Sequence, residues 1–91
     1  MYQLNKYMSL LFDAYYYFKS EAIAKALEKL EALEFELEED NNLTRTVREA
    51  IRELKYIISE VGSEEDSLIK SHLSEQAVKL FTLLACEILR I

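Results

Sequence analysis

Proline is absent from this 91-residue sequence, and glycine, cysteine and histidine each occur once. So few turn-forming residues, together with many Leu, Ala, Glu and Lys, favour helices over the whole chain. The single cysteine, Cys86, cannot form an internal disulfide, which is typical of proteins in a reducing cytosol. It lies in an apolar run where a small side chain would pack. We therefore expect an all-α, cytoplasmic protein.

Long hydrophobic runs are also missing. The uncharged run Leu80 to Cys86 is far shorter than the ~20 residues that a membrane-spanning helix requires. The apolar stretch Met8 to Phe12 is followed at once by Asp13 and by no small-residue cleavage site, so we expect no secretory signal. The sequence predicts no contact with a membrane.

The charge balance is acidic, with 11 basic and 17 acidic side chains and a formal net charge of −6. That sign disfavours a general binder of nucleic acids or anionic membranes. The hydrophobic content of 51% is too high for disorder, and the size suits one modest core. We expect a single domain over residues 1–91, with a composition that resembles thermophile proteins.

Apolar periodicity predicts a small bundle of three to four helices. Two of them cover about 46–61 and 64–90. Residues 3–39 are also helical, but their apolar stripe rotates by roughly 90° near Ser20. This segment is therefore either one long helix or two helices separated by a kink or short break.

Local signals set the bounds of the middle helix. Thr46 and Glu49 have capping-box spacing, and Gly62 stands where a left-handed C-terminal cap is expected. Ser63 and Asp66 repeat the N-cap spacing, which predicts that the next helix starts directly after Gly62. The predicted core face of the middle helix consists of Val47, Ala50, Ile51, Leu54, Ile57, Ile58 and Val61.

Residue types that carry chemistry are scarce. One histidine, His72, cannot supply the histidine pair of a di-iron bundle site, and Cys86 has no adjacent base. The many carboxylates spread over helix surfaces, and no glycine-rich phosphate loop is present. We predict no catalytic residue, no metal site and no cofactor, and hence no enzyme.

The N-terminal segment Tyr2 to Phe18 is too apolar for a helix with one buried face. One broad apolar arc, assigned to the core, consists of Leu4, Tyr7, Met8, Leu11, Phe12, Ala14, Tyr15 and Phe18. A second set lies among polar residues and is the candidate protein interface: Tyr2, Leu10, Tyr16 and Tyr17. Two apolar faces predict a protein partner, either a second copy in a homodimer or a larger subunit.

The sequence also contains one basic and one acidic cluster of side chains. Cations repeat at helical spacing on the middle helix, beside Tyr56, and would suit phosphate or carboxylate recognition: Arg45, Arg48, Arg52 and Lys55. The alternative is a solvated face paired with Glu49. An acidic patch, consisting of Glu36, Glu38, Glu39 and Asp40, is either a solvated helix end or a contact for a basic partner.

The interpretation that accounts for most of these features is a non-catalytic helical protein–protein interaction module, homodimeric or a small subunit of a larger complex. The alternative is an accessory subunit of a nucleic-acid-processing assembly that uses the stripe from Arg45 to Lys55. A small-molecule sensor or enzyme would need a polar pocket between helices. Because of the net charge, we expect the isolated protein not to bind nucleic acid.

Overall fold

Four helices follow one another along the chain: α1 (Tyr2–Lys19), α2 (Ile23–Glu39), α3 (Arg45–Ser63) and α4 (Ser67–Leu89). The structure is a computed structural model that describes the backbone of residues 2–91 and the side chains of residues 6–91. No strand occurs in this described part of the chain. The prediction of an all-α bundle is confirmed.

Neighbouring helices in the chain pack side by side in opposite directions. Lys6 on α1 pairs with Glu36 on α2, and Asp13 pairs with Lys29, so the start of α1 lies beside the end of α2. α2 then packs on α3 and α3 on α4, while α4 returns to contact α1 and closes the ring. The result is an up-down-up-down four-helix bundle with principal extents of 41 × 21 × 16 Å.

The chain reverses at residues 20–22, although no glycine or proline stands there. Glu21 adopts a left-handed conformation with φ of 63°. Its backbone N–H donates to the Phe18 carbonyl at 3.1 Å, and that of Ala22 donates to the Tyr17 carbonyl at 2.8 Å. These two bonds form a Schellman motif, which ends α1 and turns the chain back on itself. Residues 3–39 are therefore two antiparallel helices and not one rod.

The end of α2 has the same construction. Asn41 has a φ of 59°, and the N–H of Asn42 donates to the Leu37 carbonyl at 2.8 Å. Asparagine tolerates the left-handed region better than most residues, and the Asn and Asp residues at positions 40–42 are typical of a turn, so the sequence here favours this end of the helix.

The predicted caps of α3 and α4 need correction. Thr44, not Thr46, is the N-cap of α3, and its hydroxyl accepts from Val47 N–H at 3.2 Å. Asp66, not Ser63, caps α4, because its carboxylate accepts from the N–H groups of the first turn. Gly62 has no positive φ and lies inside α3. Its missing side chain instead leaves room for Ile23, since an added Cβ would lie only 3.1 Å from Ile23 Cγ1.

One apolar core runs through the bundle, and all four helices contribute to it. All seven residues of the predicted α3 core face are buried, which confirms that helix wheel. On α4 the pattern is less accurate. Helical spacing in the sequence predicts an apolar stripe that lacks Phe81 and consists of Ile69, Leu73, Ala77, Leu80, Leu84, Ile88 and Ile91, whereas the buried residues are Ala77, Phe81, Leu84 and Ile88. Cys86 is exposed, so its predicted packing position is wrong.

Candidate protein-docking site

An apolar groove of about 200 Å³ lies on the outer surface between α1 and α4. Its α4 wall combines small side chains at helical spacing with the ring of Phe81, and its α1 wall carries two aromatic residues and Leu11. The lining contains no charged side chain and consists of Leu11, Phe12, Tyr15, Val78, Phe81, Thr82 and Ala85. We call this surface the α1–α4 groove.

The aromatic wall results from the excess of apolar residues on α1. The core takes Leu11 and Phe18 from this helix, and Phe12, the residue after Leu11, points about 100° away from the core. Phe12 is therefore 60% exposed, and Tyr15 is 37% exposed. The Tyr15 ring packs edge-on against Phe81, with ring centroids 5.3 Å apart. This contact holds the aromatic wall against α4.

Charge is distributed unevenly between the helices. α1 carries two lysines and one aspartate, and α4 carries two lysines and two glutamates, so both are close to neutral. By contrast, α2 carries six glutamates against two lysines. The groove thus lies on the side of the bundle where the acidic excess of the chain is absent.

Of the residues assigned to a protein interface from sequence, the three whose side chains the structure describes lie in two environments. Tyr16 is 65% exposed, whereas Leu10 and Tyr17 are half-buried and pack against the core. Lys25 Nζ lies 5.5 Å from the centre of the Tyr17 ring and covers it further. The side chain of Tyr2 lies outside the described residues. Phe12 and Tyr15 both belong to the arc that the sequence assigns to the core, so the two exposed aromatic residues of the groove are not predicted from the sequence.

The acidic patch is partly neutralised within the chain. Lys6 Nζ lies 2.6 Å from Glu36 Oε2 and 3.4 Å from Asp40 Oδ2. Glu38 and Glu39 remain exposed. Part of the positive charge that was expected from a basic partner is therefore supplied by Lys6 of α1.

Asp40 also accepts a hydrogen bond from the buried Tyr7 hydroxyl, at 2.6 Å. This bond, together with Lys6, lowers the pKa of Asp40. Burial, followed by the bond to Asp40, raises the pKa of Tyr7, and the bond to Glu36 raises the pKa of Lys6. These shifts favour an ionised Asp40, a protonated Lys6 and a neutral Tyr7, which are the states of these groups at neutral pH. This is expected for a structural network.

The cations of α3 do not form one continuous free stripe. Lys55 is half-buried and pairs with Glu34 on α2, with Nζ 3.2 Å from Oε1. Arg45 pairs with Glu49 at 3.0 Å. Among the described residues, no carboxylate lies within 4.0 Å of Arg48 or Arg52. These two arginines are exposed, and so is Tyr56 one turn after Arg52.

A second cavity, of about 270 Å³, lies at the end of the bundle where the α1–α2 turn meets α3 and α4. Lys19, Glu21, Lys70 and Ser74 form part of its lining, and Lys70 Nζ pairs with Glu21 Oε1 at 3.3 Å. Within residues 2–91, no group of three or more potential metal ligands is placed to hold an ion. No helix in that range is long and apolar enough to cross a membrane.

Comparisons with family models, with curated proteins and with solved structures found no match to this chain. Its function is therefore inferred from the geometry of its own surfaces.

Proposed function

We propose that this chain is a non-catalytic helical module that binds another protein through the α1–α4 groove. The observation that carries the proposal is the position of Phe12, which is 60% exposed at the edge of an uncharged concave surface. Burying a phenylalanine that was exposed to water contributes roughly 1.5–3 kcal/mol. A partner that covered the groove would gain this contribution without removing any charge of the lining from water.

Exposed apolar side chains are common on protein surfaces, so their arrangement matters more than their number. Phe35 on α2 is 61% exposed, but it lies outside both cavities. Phe12, in contrast, adjoins Tyr15 and the small residues of α4 in one groove. Aromatic residues are enriched in the buried centres of protein interfaces, and an apolar groove is one of the recurring sites for a partner segment.

A site-specific crosslinker would test this proposal. We suggest two variants of this chain, one with p-benzoylphenylalanine in place of Phe12 and one with it in place of Phe35. The two native side chains are equally exposed, so the second variant is a matched control. After irradiation in the natural host, position 12 should yield covalent adducts with a protein chain and position 35 should not. Absence of adducts at position 12, or equal yields at both positions, would contradict the proposal.

A second candidate is an accessory subunit of a nucleic-acid-processing assembly. It is favoured by Arg48 and Arg52, whose guanidinium groups face solvent on α3 beside the exposed Tyr56. Arginine forks without an internal partner suit phosphate oxygens. The net charge of −6 opposes binding by the chain alone, so the assembly would have to supply most of the affinity.

Fluorescence anisotropy with DNA and RNA separates the two candidates. At physiological salt we expect no measurable binding by the isolated chain. Micromolar affinity that is abolished by Arg48→Glu with Arg52→Glu, and unaffected by Phe12→Glu, would favour the second candidate over docking through the groove.

A further inference from the structure

We infer that the occupant of the α1–α4 groove is a second copy of this chain, related by a two-fold axis, with Phe12 of each copy seated in the groove of the other. This inference rests on the proposed docking function and names its partner. It is drawn from the shape of the groove, from the distribution of charge and from the size of the face.

The face carries both a projecting side chain and a recess. Phe12 projects from the rim, and the groove beside it has a volume of about 200 Å³. An apolar cavity of about 150 Å³ is large enough to hold benzene, so the groove has room for one phenyl ring. Projection and recess lie on the same side of one molecule. A two-fold rotation therefore makes two equivalent contacts at once, as in an isologous dimer.

The groove is open where α4 presents small side chains, around the buried Phe81, opposite the aromatic residues of α1. Val78, Thr82 and Ala85 follow one another at spacings of four and three residues and leave the space between the helices unfilled. Leu89 comes four residues after Ala85 and is 61% exposed. It extends the apolar surface beyond the groove toward the end of α4, where a partner could cover it as well.

Charge favours this face over the α2 side for contact between two identical chains. Each copy has a net charge of −6, so two copies repel wherever their acidic surfaces meet. α1 and α4 are close to neutral, whereas α2 has an excess of four negative charges. Contact through α1 and α4 keeps the two α2 helices on the outside. A highly charged partner would find no opposite charge in the groove lining.

The size of the face is sufficient. Stable interfaces of standard size bury about 800 Å² on each partner. The bundle has principal extents of 41 × 21 × 16 Å, so one long side of it has an area of that order. Two rigid helices form this side, which limits the conformational entropy that association would cost.

Sedimentation equilibrium of the purified chain provides the first test. Between about 1 and 100 μM we expect a species of twice the 10.7 kDa chain mass. Phe12→Glu should weaken association at least ~100-fold, because each dimer would lose two buried anchors and gain two buried charges. Phe35→Glu is the matched control, since it adds the same charge at an equally exposed phenylalanine, and it should change the dissociation constant less than ~3-fold.

Cys86 offers a second, independent readout because it is the single cysteine and is exposed on α4, next to Ala85 of the groove. A nitroxide attached to Cys86 should give one defined distance between labels in pulsed electron spin resonance. That distance should disappear in Phe12→Glu and persist in Phe35→Glu. Circular dichroism and thermal melts of both variants confirm that each is still folded.

The outcomes distinguish this inference from the docking function. A chain that is monomeric at 100 μM, yet forms adducts with a different protein through position 12, would contradict a second copy as the occupant of the groove but would support the docking function. A monomer without adducts would overturn both. A dimer that resists Phe12→Glu but dissociates in Phe35→Glu would show pairing through another face and would also overturn the inference.

Discussion

The hydroxyl of Tyr7 donates a 2.6 Å hydrogen bond to Oδ2 of Asp40, which lies 33 positions later in the chain. Asn42 Nδ2 donates to the same hydroxyl at 2.9 Å. Tyr7 is fully buried, so this network joins the first turns of α1 to the end of α2 and the loop after it. Two helices that lack a covalent link at this end of the bundle are thereby fixed in register.

Tyr7→Phe should destabilise the protein by about 1–2 kcal/mol, because it removes the hydroxyl that Asp40 and Asn42 both use. The ring and its packing are retained, so the loss reports the hydrogen bonds alone. Urea denaturation followed by circular dichroism measures the change. Tyr56→Phe, at an exposed position, is the control and should cost less than about 0.5 kcal/mol.

Stability should fall as the solution is acidified through the range in which Asp40 titrates. The Tyr7 hydroxyl and Lys6 hold the pKa of Asp40 below its usual 3.8. A carboxyl whose pKa is lower in the folded state stabilises the protein above the unfolded pKa, and the contribution is lost as the pH falls through the folded pKa. Asp40→Asn should therefore be less stable than the native chain at pH 6, and the difference should shrink below about pH 3.8. A difference that stayed constant from pH 6 to pH 2 would contradict this linkage.

Glu21→Gly should stabilise the protein. A left-handed conformation costs an L-residue about 1–2 kcal/mol, and glycine avoids that cost but loses more backbone entropy on folding. We expect a net gain of about 0.5–1 kcal/mol, which raises the melting temperature by roughly 2–8 °C. Glu21→Ala keeps the Cβ and removes only the ion pair with Lys70, so it isolates the backbone effect. Equal melting temperatures for the two variants would rule this explanation out.

The sequence predicts the fold best where one apolar face suffices. α3 has a single core face with its charges outside it, and each predicted core residue is buried. The reversal at Glu21 is harder to foresee, because a left-handed glutamate leaves no compositional signal. The rotation of the apolar stripe near Ser20 is its one trace in the sequence. Gly62 has the opposite effect, because the sequence predicts a turn there and the structure has none. Glycine is needed at this position because Ile23 packs closely against it and leaves little room for a side chain.

The candidate site was less predictable than the fold. α1 is apolar on most of its circumference, so periodicity cannot tell which aromatic residues face the core and which face solvent. The outcome for Phe12 depends on how the other helices pack around α1, which leave Leu11 2% exposed and the next residue, Phe12, 60% exposed. The same holds for Lys55, whose partner Glu34 is 21 residues away and is brought near by the α2–α3 turn. Such contacts between helices have no signature in local spacing.

Leu54→Ala should destabilise the protein by about 2–5 kcal/mol, because Leu54 is fully buried at the centre of α3 and its truncation leaves a cavity. Arg48→Ala, on the exposed side of the same helix, should cost less than about 0.5 kcal/mol. Chemical denaturation measures both changes. Comparable losses for the two variants would mean that α3 is oriented differently in solution.

Gly62 and Ile23 should be energetically coupled, and a double-mutant cycle measures the coupling. Alanine is favoured over glycine inside a helix by about 0.8–1.0 kcal/mol, so Gly62→Ala should stabilise the protein by this amount when there is room for the added Cβ. In the native chain an added Cβ would lie 3.1 and 3.2 Å from Ile23 Cγ1 and Cγ2, closer than relaxed packing permits. Ile23→Ala removes both carbon atoms. We therefore expect Gly62→Ala to stabilise the Ile23→Ala protein by close to the full helix preference, and to stabilise the native chain by at least ~0.5 kcal/mol less. Equal effects in the two backgrounds, measured by urea denaturation, would show that contact with Ile23 does not constrain the residue at position 62.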